Sequence, residues 1–365
     1  MNINKLADNI GALFAGDRGL LAMDESNPTC NKRFEAAGIL QDEESRREYR
    51  EMVITTPGLC EYIGGVILYD ETIRQAKRDG TPFIQMIIEA GIIPGIKVDL
   101  GEEELAAHPG EKITAGLDGL RERLDDYYKM GARFAKWRSL IALGERIPSR
   151  GCLEANMQTL ARYAALCQES NLVPIVEPEV LMEGDHTLAR CRTVTEDVLH
   201  ILFEELYHQS VLLEGVILKP NMILPGLTCP RQESIEEVAE TTVLSLLRVV
   251  PAAVPAIAFL SGGQSGELAS ERLNTMNLQF KGRLPWILTF SFARAIQHPA
   301  LEIWNGKESN VPAAQRALAH RAKCNWAARG GKYVSSMEQH PQENIDIRSS
   351  DFETNRVRLF ETERA

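Results

Sequence analysis

Eight short apolar runs recur along the chain, and each stops at turn or polar residues. They are Gly19–Asp24 (GLLAMD), Gly64–Tyr69 (GGVILY), Ile92–Asp99 (IIPGIKVD) and Ala132–Arg138 (ARFAKWR). Leu172–Glu177 (LVPIVE), Val216–Lys219 (VILK), Ala256–Ser261 (AIAFLS) and Trp286–Ser291 (WILTFS) follow. Runs of this length bounded by turn signals read as strands buried on both faces. Between them the period changes to that of a helix, as in Glu43–Thr55, Ala115–Met130, Leu153–Glu169, Thr195–Gln209, Ser234–Val249 and Ser265–Gln279. A further amphipathic helix is predicted at the start, through Leu6, Ile10, Leu13 and Phe14. Strands alternating with helices imply a parallel sheet with right-handed crossovers. Eight such units, with run ends about 30 to 45 residues apart, fit an α/β fold of the (β/α)8 TIM-barrel type carrying insertions. A doubly wound open sheet is the competing architecture. It lacks a GxGxxG turn after the first run, and it would not gather polar residues at every strand end.

The pattern breaks near the C-terminus. Residues 1–334 read as a single barrel domain, whereas 335–365 are polar and charged, with no clear period. Such a tail is either disordered or a mobile flap over the barrel mouth.

Composition narrows the function. The chain has 365 residues and a net charge of −11, which argues against nucleic acid and anionic membranes as partners. An anionic substrate would need locally concentrated cations. No stretch approaches the roughly 18 apolar residues of a membrane span, and Asp8 and Asp17 interrupt the N-terminal stretch where a signal peptide would be apolar. The seven cysteines (30, 60, 152, 167, 191, 229 and 324) are scattered and form no CxxC pair, as expected for reduced thiols in a cytoplasm. The histidines show no metal-ligand spacing, so the expected chemistry uses no metal and no cofactor.

The strand ends carry the candidate chemistry. The first run ends in Asp24, the third carries Lys97 with Asp99, and the fourth carries Lys136 and Arg138. The fifth continues into Glu177-Pro178-Glu179, the sixth ends in Lys219, and Arg294 follows Ser291 after the eighth. In such barrels catalytic residues come from the C-terminal ends of several strands. Lys219 alone could be a snorkelling side chain or half of an ion pair. Among the other groups it could instead be a Schiff-base nucleophile, with Glu177 and Asp24 available as acid and base. Lys136 would then oppose a second positive charge nearby. Ser261-Gly262-Gly263 is either an ordinary tight turn or, with Arg294, a phosphate site after the last two strands. Lys32-Arg33 is either a solvated helix face or a second phosphate site.

These motifs resemble the class I (Schiff-base) fructose-1,6-bisphosphate aldolases. Nine segments carry the likeness in order: LLAMDES (20–26), GGVILYDET (64–72), GIKVD (95–99), FAKWR (134–138), ARYA (161–164), VPIVEPE (173–179), LEGVILKPNM (213–222), FLSGGQS (259–265) and LTFSFARA (288–295). The resemblance implies Lys219 as the Schiff-base lysine, Glu177 as the acid/base for its dehydration, and Asp24 as the base on the hydroxyl beside the scissile bond. It implies Lys136 and Glu179 as their catalytic neighbours. Ser261, Gly262, Gly263, Ser291 and Arg294 would hold one phosphate, and Lys32, Arg33, Lys97 and Arg138 would surround the other. It further implies a sugar phosphate substrate, no metal, a cytoplasmic location and a homotetramer. Another ketose bisphosphate, such as sedoheptulose 1,7-bisphosphate, is the alternative substrate. A non-catalytic scaffold would have lost Lys219, Glu177 or Asp24, and all three are present. Two positions depart from the family pattern: Ala293 stands where SYGRA has glycine, and the chain ends Glu363-Arg364-Ala365 where animal members end in tyrosine.

Overall fold

A computed structural model describes residues 2–339. The eight expected strands are β1 (Gly19–Ala22), β2 (Ile63–Leu68), β3 (Ile93–Lys97), β4 (Phe134–Ile141), β5 (Val173–Val180), β6 (Ile217–Leu218), β7 (Ala256–Phe259) and β8 (Ile287–Phe292). Each pairs in parallel with its sequence neighbours, and β1 pairs with β8 to close the barrel. The chain is therefore a (β/α)8 barrel, and closure leaves none of the eight strands with a free edge.

Period two along each strand sorts side chains into two cores. Outward residues such as Leu21, Val66, Ile96, Trp137, Val176, Leu218, Ile257 and Phe259 pack under the surrounding helices. Inward residues form a smaller core of Leu20, Ala22, Ile67, Phe134, Val173, Ile175, Ile217, Ala256 and Ala258. The N-terminal helix (Ile3–Phe14) closes this inner core with Leu6, Ile10, Leu13 and Phe14, the four residues its periodicity singled out. Its backbone comes very close to β2: a Cβ on Gly64 would sit 1.9 Å from the Leu13 carbonyl oxygen. Higher up, the Phe134 ring fills the barrel axis because β3 presents Gly95, where a Cβ would fall 2.2 Å from that ring.

Half of the described α-helices begin at a side-chain cap. Ser234 closes a capping box with Glu237 at the start of Ile235–Val249, and Ser265 caps Gly266–Gln279. Three differences from the expected elements have local causes. The helix expected from Ala115 starts at Leu120, because Gly116 and Gly119 hold φ of +126° and +63°. The helix expected from Thr195 starts at Leu188, since the Thr187 side chain accepts from the Arg190 N–H and caps it earlier. A hairpin of Glu102–Glu104 and Lys112–Thr114 sits between β3 and β4. Its strands are three residues long and mostly exposed, so no apolar alternation announced them.

Among the described residues no helix is long and apolar enough to cross a membrane. Ser335–Gln339 form a short helical turn, with Met337 packed against the outer core. The remainder of the expected tail, including the departing C-terminus, lies outside the described residues.

Candidate active site

The inner face of the barrel is apolar at its base and charged at its C-terminal mouth. On β4 the inward positions run Phe134, Lys136, Arg138, and on β5 they run Val173, Ile175, Glu177, Glu179. The parallel register sets Lys97 opposite Lys136 and Arg138 opposite Glu177. Lys219 continues β6, its N–H donating to the Val176 carbonyl at 2.8 Å. Just beyond, buried Asn221 accepts from the Val180 N–H at 3.0 Å and fixes the backbone after Pro220.

The charged groups meet. Lys219 Nζ donates to Glu177 Oε1 at 2.7 Å, and Lys136 Nζ lies 3.2 Å from the other oxygen of the same carboxylate. Lys136 Nζ is also 2.7 Å from Asp24 Oδ2 and 3.8 Å from Asp99 Oδ2. Asp99 in turn holds Lys97 at 2.5 Å. Arg138 pairs with Glu179 at 2.6 Å on the rim, where Glu102 of the hairpin approaches to 4.0 Å. Lys219, Glu177 and Lys136 are 4%, 3% and 2% exposed, so the pairing occurs out of water.

Burial opposes the charges on Asp24, Glu177 and Lys136, and their partners overcome it. For Asp24, desolvation is outweighed by Lys136 and Lys219, and the carboxyl is held well below the usual range. Glu177 is likewise lowered, against burial, by Lys136, Lys219 and Arg138. Lys136 is raised, against burial, by Asp24, Glu177 and Asp99. The centre therefore holds two ionised carboxylates against a firmly charged Lys136.

A second feature lies at the rim after β7 and β8. Ser261-Gly262-Gly263 is a tight turn, closed by the Gln264 N–H donating to the Ser261 carbonyl at 3.0 Å. Gly262 and Gly263 hold φ of +55° and +85°, and a Cβ on Gly263 would meet the Arg294 guanidinium at 3.4 Å. Turn and arginine share a cleft of 530 Å³ with the first turns of two helices, Gly266–Gln279 and Arg294–Trp304. Arg294 is exposed, and it also lines a neighbouring cleft of 340 Å³ together with Arg33. Neither cleft is lined by Lys219, Glu177 or Asp24, whose side chains are drawn together through Lys136. Ala293 has φ −104°, a sign any L residue adopts, so alanine is accommodated where the family pattern has glycine. Ser291 is buried, and its hydroxyl has no hydrogen-bond partner among the described residues.

The expected second phosphate group is dispersed by comparison. Lys32 is exposed, whereas Arg33 pairs with Glu25 Oε1 at 2.5 Å. Three further residues complete that network and were not anticipated. Arg50 holds Glu25 Oε2 at 2.7 Å, Gln297 donates to Glu25 at 3.0 Å, and Tyr49 donates to Gln297 at 3.0 Å. A signal for Arg50 was available: with Arg46 it occupies the face of Glu43–Ile54 that carries Tyr49 and Val53.

Comparison with known proteins places this geometry. The sequence profile of the family described as fructose-bisphosphate aldolase class-I matches residues 5–351. A Xanthomonas campestris pv. campestris protein named probable fructose-bisphosphate aldolase class 1 is 53% identical over 334 residues, covering 91% of this chain and 99% of that one. Fructose-bisphosphate aldolase 4, cytosolic, of Arabidopsis thaliana is 48% identical, covering 90% of this chain and 84% of its own length. A solved Plasmodium falciparum fructose-bisphosphate aldolase, in complex with TRAP and a small-molecule inhibitor, superposes with a TM-score of 0.89 at 43% identity. It covers 91% of this chain and 96% of its own.

Proposed function

Because the chain belongs to the class-I fructose-bisphosphate aldolase family, we propose that the barrel-mouth cluster built on Lys219 is its catalytic centre. The chain is a lyase of glycolysis that cleaves fructose 1,6-bisphosphate through a lysine Schiff base and uses no metal. Assigning residues to that chemistry is our own reading, and one observation carries it. A single buried carboxylate, Glu177, touches the ammonium groups of both Lys219 and Lys136, while Lys136 touches Asp24.

Lys219 attacks the ketone carbon as a neutral amine, and Glu177, 2.7 Å away, is the group within reach to take its proton. The carbinolamine then loses water as Glu177 returns a proton to the departing hydroxyl, leaving an iminium on Lys219. Asp24 accepts the proton of the hydroxyl beside the scissile bond. The C3–C4 bond breaks, its electron pair flows into the iminium, and the aldehyde product leaves an enamine. Protonation of the enamine and hydrolysis release dihydroxyacetone phosphate and restore the lysine. Lys136 stays charged throughout and holds Asp24 ionised and aimed until that carboxylate takes the hydroxyl proton.

The turn Ser261–Gly263, with Arg294 and Ser291, is assigned to one phosphate. Its backbone N–H groups, the two helix N-termini and the guanidinium supply the positive potential. Lys32, Arg33, Lys97 and Arg138 are assigned to the other end of the substrate, with Glu179 orienting Arg138. The named relatives are all fructose-bisphosphate aldolases, which favours this substrate over other ketose bisphosphates. The cytosolic names of the plant relatives support a cytoplasmic location. A homotetramer is the assembly we infer, and light scattering of the purified chain tests it.

Borohydride reduction with dihydroxyacetone phosphate and EDTA present, followed by peptide mass mapping, tests the centre. The expected result is an adduct on Lys219 alone, with activity unchanged by EDTA. No adduct, or one on Lys136 or Lys97, would overturn the assignment.

A further inference from the structure

Away from the barrel mouth, the helix Val311–Arg329 and the turn Ser335–Gln339 bring together three groups that cleavage does not use. His320 and Cys324 are one helical turn apart on the same face, and Glu338 reaches them from the following turn. The Nε2 of His320 lies 3.7 Å from Cys324 Sγ and 3.4 Å from Glu338 Oε2. All three ligand atoms fall within 4.8 Å of one another.

These separations have the size of edges of a tetrahedron around zinc. Zinc bonds of about 2.3 Å to sulfur and about 2.0 to 2.1 Å to nitrogen or oxygen put neighbouring ligands about 3.6 Å (N to S) and about 3.3 Å (N to O) apart. The surroundings also suit a built site. Arg321 and Tyr333 both donate to Glu338 Oε1, Tyr333 at 2.9 Å, which turns the other oxygen toward His320. Metal ligands are characteristically oriented by outer partners of this kind. Cys324 is buried, whereas the His320 and Glu338 side chains are 15% and 16% exposed, so the cluster meets solvent on their side.

We propose that His320, Cys324 and Glu338 bind a divalent cation of the zinc class, with water as the fourth ligand. The ion ties the turn after the last helix to that helix and takes no part in aldol cleavage. Binding exchanges the Cys324 thiol proton, released to solvent, for a metal–sulfur bond, so no oxidant or reductant is involved. One thiolate and one carboxylate balance the dication, while Arg321 and Lys323 are the nearby cations that limit affinity. The competing arrangement is a plain ion pair of protonated His320 with Glu338.

The test is titration of the full chain with Co²⁺ and with Zn²⁺, followed by gel filtration and metal analysis. One ion per chain is expected, with a thiolate-to-cobalt charge-transfer absorption. Cys324→Ser should abolish that absorption, while Cys60→Ser, at a half-buried thiol elsewhere, should leave it intact. Glu338→Gln should weaken Co²⁺ binding by at least the roughly 10- to 100-fold that losing an outer-shell partner costs. His320→Gln provides the same reading if the cysteine variant does not fold. Failure of the wild type to retain stoichiometric metal would overturn the site. So would an unchanged absorption in folded Cys324→Ser or His320→Gln.

Discussion

Lys136→Met removes an ammonium while leaving its stem volume in place. The lost group stands 2.7, 3.2 and 3.8 Å from Asp24, Glu177 and Asp99, and its side chain is 3% exposed. At an effective dielectric of about 20, each contact is worth roughly 4 to 6 kcal/mol of gross attraction. The cost of burying the ammonium offsets much of that sum. What remains is the penalty for leaving buried carboxylates short of a partner, about 3 to 5 kcal/mol. At about 2.1 cal/mol/K of unfolding entropy per residue, a chain of this length shifts by about 1.3 °C per kcal/mol. The melting temperature at pH 7 should therefore fall by about 4 to 7 °C. The pH dependence follows from the lowered values of Asp24 and Glu177. A carboxylate whose folded value is depressed adds stability above its unfolded value, about 4, and loses it as pH falls through the folded value. Lys136→Met reduces that depression, so the deficit should hold in full down to about pH 4 and narrow only as pH falls below it, through the folded values. Scanning calorimetry of both proteins at pH 7 and pH 3 measures it. A drop smaller than about 2 °C at pH 7, or an equal drop at both pH values, would refute the reasoning.

Two other substitutions probe the scaffold and the rim. Gly64→Ala places a methyl 1.9 Å from the Leu13 carbonyl, and it should cost about 3 kcal/mol or more by lifting the N-terminal helix off the barrel base. Hydrogen exchange would show that helix losing protection first, and unaltered exchange there would contradict the close approach. Arg294→Ala should leave the melting temperature nearly unchanged, because the side chain is exposed. Losing a charged hydrogen bond to phosphate, about 1.5 to 3 kcal/mol, should raise KM by about 10- to 100-fold. An unaltered KM would remove Arg294 from the phosphate site.

Strand parity made much of the site legible. Along GIKVD, FAKWR and VPIVEPE the outward positions stay apolar while the inward ones change to charged residues near the C-terminal end. Local alternation alone therefore put Lys97, Lys136, Glu177 and Lys219 in one mouth. The partners inside that mouth were less legible. Arg33 and Lys97 read as free cations for a phosphate, yet they pair with Glu25 and Asp99. The acidic neighbours were visible in the sequence, but nothing local ranked an ion pair above a ligand. Glu25 follows Asp24 directly, yet its network draws on Arg50 and on Gln297, the latter 272 residues away.

By itself, then, the sequence determined the eightfold alternation, the amphipathic N-terminal helix and the end of the barrel where the chemistry gathers. Each depends on periodicity within a few residues, which burial enforces wherever the chain folds. Only the tertiary structure decided which charge neutralises which, how the Ser261–Gly263 turn meets Arg294, and that His320, Cys324 and Glu338 converge. Most of those contacts join separate elements of the fold, and their strength depends on ångström separations and on the exclusion of water. No local pattern encodes either quantity.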